Sequence, residues 1–141
     1  MKDSDRTWLT LWAWGVVIFG LALATFALPA TDAPGRLMFD ILGNSVPADP
    51  DAHLRFAVGL MGCVTMGWGV TFLAAFRAAW ALPAGQARPI WRLIVTGALV
   101  WFIPDSLLSV ATGFALNAVS NTVLLVLLLV PLLRSGVLKA G

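Results

Sequence analysis

The chain has no glutamate, one histidine and one cysteine, and only 11% of its residues are charged. Each shortage excludes a chemistry. A lone Cys63 cannot form an internal disulfide, and no CxxC pair exists, so dithiol redox chemistry within one chain is ruled out. Its place in mid-segment predicts a small packing residue. A lone His53 rules out bis-histidine haem ligation. A His–Met haem would need Met38, Met61 or Met66 as the second ligand, but His53 stands at the end of an apolar segment. No zinc or copper site has the ligand count it needs. No lysine lies inside an apolar segment, which removes a retinal Schiff base. No histidine accompanies an intramembrane serine, and no glycine-rich phosphate loop is present. No metal and no cofactor is expected.

Hydrophobic residues make up 60% of the 141, and the mean hydropathy is +0.90. Four apolar segments account for this: about Trp8–Leu28, His53–Phe76, Trp91–Thr112 and Ala115–Leu133. Each approaches the roughly 20 residues that cross a bilayer. The expected fold is therefore all-α, a four-transmembrane-helix bundle forming one integral membrane domain over residues 1–141. The first segment is longer than the apolar core of a signal peptide and reads as a retained helix. A pI near 9.3 could suggest nucleic acid. The basic residues are instead scattered beside apolar segments, where they act as topology signals. Lys2, Arg6, Arg77, Arg88, Arg92, Arg134 and Lys139 fall on one side, Arg36 and Arg55 with four aspartates on the other. This predicts cytoplasmic termini in a bacterial-type inner membrane, with a long extracytoplasmic first loop. Trp8, Trp80 and Trp91 fall at the predicted cytoplasmic interface.

That loop, Pro29–Ala52, contains Leu37–Leu42, which reads either as a short helix on the outer membrane surface or as a loop folded back over the bundle mouth. Asp49 can cap the second span, with Pro50 at its first helical position. The turn around Gly113-Phe114 is short enough to force spans three and four into a tight hairpin.

Asp105 is the residue of most interest. It is an acid within an apolar span, which costs a few kcal/mol or more unless it is protonated, paired or wetted. Pro104 before it removes a helix hydrogen bond. Ala98, Trp101, Asp105, Ser109 and Thr112 share a helix face. Asn117, Ser120 and Asn121 open the next span, at about the same depth by the helical rise. On span two, Arg55, Gly59, Gly62, Met66 and Gly69 form a stripe at heptad-like spacing, and its glycines permit close helix approach. The expected cluster is Arg55, Asp105, Ser109, Asn117 and Asn121 in the outer half, with Trp101 below and His53 at the rim. Two readings stay open. The cluster either fixes helix register through an Asp105–Arg55 pair, or lines a cavity for a lipid-like or quinone-like molecule.

The segment His53-Leu54-Arg55-Phe56-Ala57-Val58-Gly59-Leu60-Met61-Gly62, with Pro104-Asp105-Ser106 and Asn117-Ala118-Val119-Ser120-Asn121, resembles the small bacterial four-helix membrane proteins grouped as DoxX-like or BphX-like. The resemblance implies a bundle with an inward arginine after the first loop. Some DoxX-type proteins are linked to redox complexes, but this chain lacks paired cysteines. The function expected is non-catalytic: an accessory subunit or a lipid-binding or quinone-binding bundle. Its partners would be membrane lipids, a larger complex or a second copy, and not nucleic acid. The alternative is a small membrane enzyme or transporter that uses Asp105 to exchange protons.

Overall fold

A computed structural model describes residues 1–43 and 46–139. Positions 44 and 45 of the long first loop lie outside the described residues. Five α-helices follow in order: α1 Asp3–Ala24, α2 Ala33–Ile41, α3 Ala52–Trp80, α4 Ala84–Ala111 and α5 Ala115–Ser135. Two 3-10 turns, Thr25–Ala27 and Pro29–Thr31, join α1 to α2. No strand occurs among the described residues. Four helices are long and apolar enough to cross a membrane.

The helices outrun the apolar segments. α1 starts at Asp3 and α4 at Ala84, because polar first turns form helix as readily as apolar ones. α4 also continues through Pro89 and Pro104. Pro104 removes one backbone donor, yet it does not break the helix. The acid beside it therefore lies on continuous helix.

The chain divides into two compact units. Unit two is Trp14–Val70. Its organising contact is the glycine seam. A Cβ at Gly62 would lie 2.3 Å from the Ala24 backbone nitrogen, and one at Gly20 would lie 2.7 Å from the Gly62 carbonyl oxygen. α1 and α3 therefore touch backbone to backbone, and only glycine fits. Cys63, one residue beyond the seam, is exposed and is not the packing residue expected. A 100° step along the helix carries it off the packed face.

The first loop folds back within the same unit. Leu23, Phe26 and Val58 are buried together, and Met38, Phe39, Val46 and Leu54 pack on them. The rings of Phe26 and Phe39 lie 5.6 Å apart. The helix cap also differs from expectation. Asp51 Oδ1 accepts the Leu54 N–H at 2.8 Å, so Asp51, not Asp49, caps α3. The reason is spacing: a cap side chain reaches the amide three residues on.

Unit one is Met1–Ala13 with Thr71–Gly141. An aromatic cluster of Trp12, Phe72, Phe76 and Trp91 forms its apolar centre, with Trp12 edge-on to Phe72 at 5.1 Å and Trp91 stacked on Phe76 at 5.9 Å. Trp91 is thus buried, not presented to a headgroup layer as its position predicts. α5 is fastened to α1 by two indoles. Pro131 has no N–H, which leaves the Leu127 carbonyl without its helical donor. Trp8 Nε1 donates to that oxygen at 2.8 Å, and Trp12 Nε1 donates to the Leu124 carbonyl at 2.9 Å. Nearby, Asp5 is 1% exposed and accepts from Arg134 Nε at 3.1 Å and also from its Nη2.

Candidate functional site

The polar face of unit one is built by the α4–α5 hairpin. Only Thr112, Gly113 and Phe114 separate the two helices. Gly113 has φ +88°, a left-handed conformation that favours glycine. The turn it makes lets the Phe114 N–H reach back to the Ser109 carbonyl at 2.7 Å, and the Gly113 N–H to the Val110 carbonyl at 3.2 Å. This left-handed glycine cap satisfies carbonyls that the helix end would leave open. It reverses the chain within three residues and sets α5 against α4.

Asp105 accepts four side-chain hydrogen bonds across this hairpin. Trp101, one turn before it, donates from Nε1 to Oδ2 at 3.1 Å. Ser109, one turn after it, lies 3.2 Å from Oδ1 and also donates to the Asp105 backbone carbonyl at 2.7 Å. From α5, Asn117 Nδ2 reaches Oδ1 at 3.0 Å and Asn121 Nδ2 at 2.8 Å. Asn117 also donates to Ser109 Oγ at 2.8 Å, which closes the network. Ser109 and Asn121 are buried, while Trp101, Asp105 and Asn117 are half-buried. Both carboxylate oxygens act as acceptors, and every donor is a neutral side chain of the same hairpin. Beside the network, Ser106 Oγ is buried and meets no hydrogen-bond partner among the described residues.

Five of the expected cluster residues thus come together: Trp101, Asp105, Ser109, Asn117 and Asn121. Within unit one, Asp105 has no ion pair among the described residues. In unit two, Arg55 Nη1 donates to Asp32 Oδ2 at 3.0 Å and to the Phe26 carbonyl at 3.2 Å. The cause is local to unit two. α1 ends just before Phe26, so its last carbonyls lack helical donors. Asp32 follows in the next turn, and both groups lie within reach of the Arg55 stripe. His53, also in unit two, is fully exposed, with Nδ1 4.0 Å from Asp51 Oδ1.

Arg36 completes the Arg55 site. Its Nε donates to Asp32 Oδ2 at 2.9 Å, and its Nη1 and Nη2 bind the Pro47 and Ala48 carbonyls at 3.1 and 3.0 Å. Both guanidinium groups lie over the Phe26 ring, at 5.5 Å for Arg55 and 5.8 Å for Arg36. Burial pushes the Asp32 carboxyl up, but hydrogen bonds from Arg55 and Arg36 outweigh it and hold the group below the ordinary aspartate range. This pins the first loop to α3.

Outside these polar sites the long helices are apolar on the surface. Leu93, Val100 and Leu107 make an exposed stripe on α4, and Val119, Val123, Val126 and Val130 do so on α5. A water-soluble monomer rarely carries such continuous apolar faces. Spanning length and apolar surface define the class, a multi-pass helical membrane protein. Comparison with known proteins does not narrow this: no family model matches the chain, and no curated protein or solved structure does.

Proposed function

We propose that the chain is a non-catalytic accessory protein of a bacterial-type inner membrane, a four-helix bundle with both termini cytoplasmic and its first loop outside. The basic residues favour this orientation: Lys2, Arg6, Arg77, Arg88, Arg92, Arg134 and Lys139 flank one set of helix ends. Its partners are membrane lipids and, across the apolar faces of α4 and α5, a larger membrane complex or a second copy.

The observation that carries the proposal is the saturation of Asp105. A proton-exchanging acid needs a changing partner or a water path. Here the carboxylate accepts from Trp101, Ser109, Asn117 and Asn121, all in its own hairpin. Its role is to hold α4 and α5 in register. The half-exposed edge formed by Trp101, Asp105 and Asn117 supports a second reading, in which a lipid-like or quinone-like head group rests on this cluster.

Native mass spectrometry of wild type and Asp105→Asn separates the two. The accessory reading predicts the same bound lipids in both proteins. Loss of a bound lipid or quinone mass from the Asn variant would transfer the site to the binding reading. Proton flux through reconstituted vesicles that disappears in the variant would overturn both.

A further inference from the structure

We infer that unit one carries a binding site for an anionic phospholipid at the end where Asp5 meets Arg134, far along α5 from Asp105. The site has an apolar part and a charged part. Trp8, Leu11, Trp12 and Leu127 line an open groove of about 270 Å³. Both indole N–H groups already donate to α5 carbonyls, so the groove wall is almost wholly hydrocarbon. Such a wall accepts an acyl chain and offers nothing to a polar ligand.

The charged part lies on the same helix. Arg134 is seven residues beyond Leu127, two turns, or about 10 Å by the helical rise. That matches the span from a lipid phosphate to the upper part of its acyl chain. Arg134 is half salt-bridged and half free. Nε and Nη2 bind Asp5, yet the side chain is 60% exposed, and Nη1 has no hydrogen bond among the described residues. Asp5 thus fixes the guanidinium in place while its outer edge stays open to a phosphate oxygen.

The charge balance selects the class of lipid. Unit one has seven basic residues against three acidic ones, a net +4, whereas unit two has two basic against four acidic, a net −2. Of those three acids, Asp105 sits at the opposite end of α4, near the α4–α5 turn. The excess positive charge near Arg134, including Lys2, Arg6 and Lys139, attracts a net-negative headgroup and repels a choline.

The test uses the purified full chain in detergent, incubated with equal amounts of phosphatidylglycerol and phosphatidylcholine of one chain length and read by native mass spectrometry. Wild type should retain phosphatidylglycerol in preference by about fivefold or more, the effect of one well-placed basic group at a membrane surface. Leu11→Trp, at an exposed position, fills the groove and should lower retention of both lipids. Asp5→Asn with Arg134→Gln leaves no buried acid unpaired and should abolish the preference while keeping general retention. Inorganic phosphate should not displace the lipid. Equal retention of the two lipids by wild type, unaltered retention by Leu11→Trp, or displacement by inorganic phosphate would each overturn the assignment. None of these outcomes depends on Asp105, so the accessory role and the lipid site stand or fall separately.

Discussion

Replacing Asp105 with alanine removes the acceptor that four donors share, but the donors do not suffer equally. Ser109 keeps the residue 105 backbone carbonyl, at 2.7 Å, and Asn117 keeps Ser109 Oγ, at 2.8 Å. Asn121 is buried, and Asp105 Oδ1 is the partner of its Nδ2. Stranding one buried donor costs about 1–3 kcal/mol. Each lost polar contact between membrane helices adds about 0.6 kcal/mol on average. Asp105→Ala should therefore destabilise the protein by about 2–4 kcal/mol. Most of that penalty belongs to Asn121, so Asn121→Leu in the alanine background should recover it. Equilibrium unfolding in mixed micelles by SDS titration, followed by tryptophan fluorescence, measures the cycle. The double variant should cost clearly less than the two single variants added together. Additivity within about 0.5 kcal/mol would show that the side chains do not communicate and would refute the reasoning.

Other positions give independent checks. Gly62→Val drives a side chain into the Ala24 backbone and should cost at least about 1–3 kcal/mol, whereas Gly97→Ala meets nothing and should be neutral or stabilising by up to about 1 kcal/mol, on the same titration. Trp8→Phe strips the donor from the Leu127 carbonyl and should cost about 1 kcal/mol, less in a Pro131→Ala background that restores the helical N–H. Ser106→Ala removes a buried hydroxyl without a described partner and should be stabilising by up to about 1 kcal/mol in thermal unfolding. The Asp32 carboxyl is held below its ordinary range, so its clamp on the first loop is at full strength above about pH 4, the value for a free aspartate, and is lost as pH falls through the lower folded value. Hydrogen exchange of residues 25–41 should accelerate over that acidic window in wild type and already be fast at neutral pH in Asp32→Asn.

Sequence periodicity was a good guide where partners lie on one helix or across a short turn. Trp101, Asp105 and Ser109 repeat every four residues, and a turn of three residues puts Asn117 and Asn121 opposite them. Glycines at heptad-like spacing marked a face of α3 open to close helix approach, though not that α1 would be the helix to fill it. The partner of Arg55 was not legible in the same way. It depends on where α1 stops, and Leu28-Pro29 marks that stop only loosely. Once the end falls near Phe26, Asp32 and the Phe26 carbonyl both come within reach of Arg55. Asp5–Arg134 was equally hidden, because 129 residues separate its members and both looked like topology charges. The Trp8 bond did have a sequence signal. Pro131 opens a carbonyl exactly one helical turn back, and a tryptophan was available to answer it.

The central claim is that Asp105 is occupied by its own hairpin. Hydrogen exchange of the Asn121 side-chain amide, followed by nitrogen-15 NMR of the protein in lipid nanodiscs, tests it most directly. Strong protection in wild type that collapses in Asp105→Ala is the predicted result. Exchange at the rate of a free amide in wild type would mean that water, not Asn121, occupies the carboxylate, and would contradict the account.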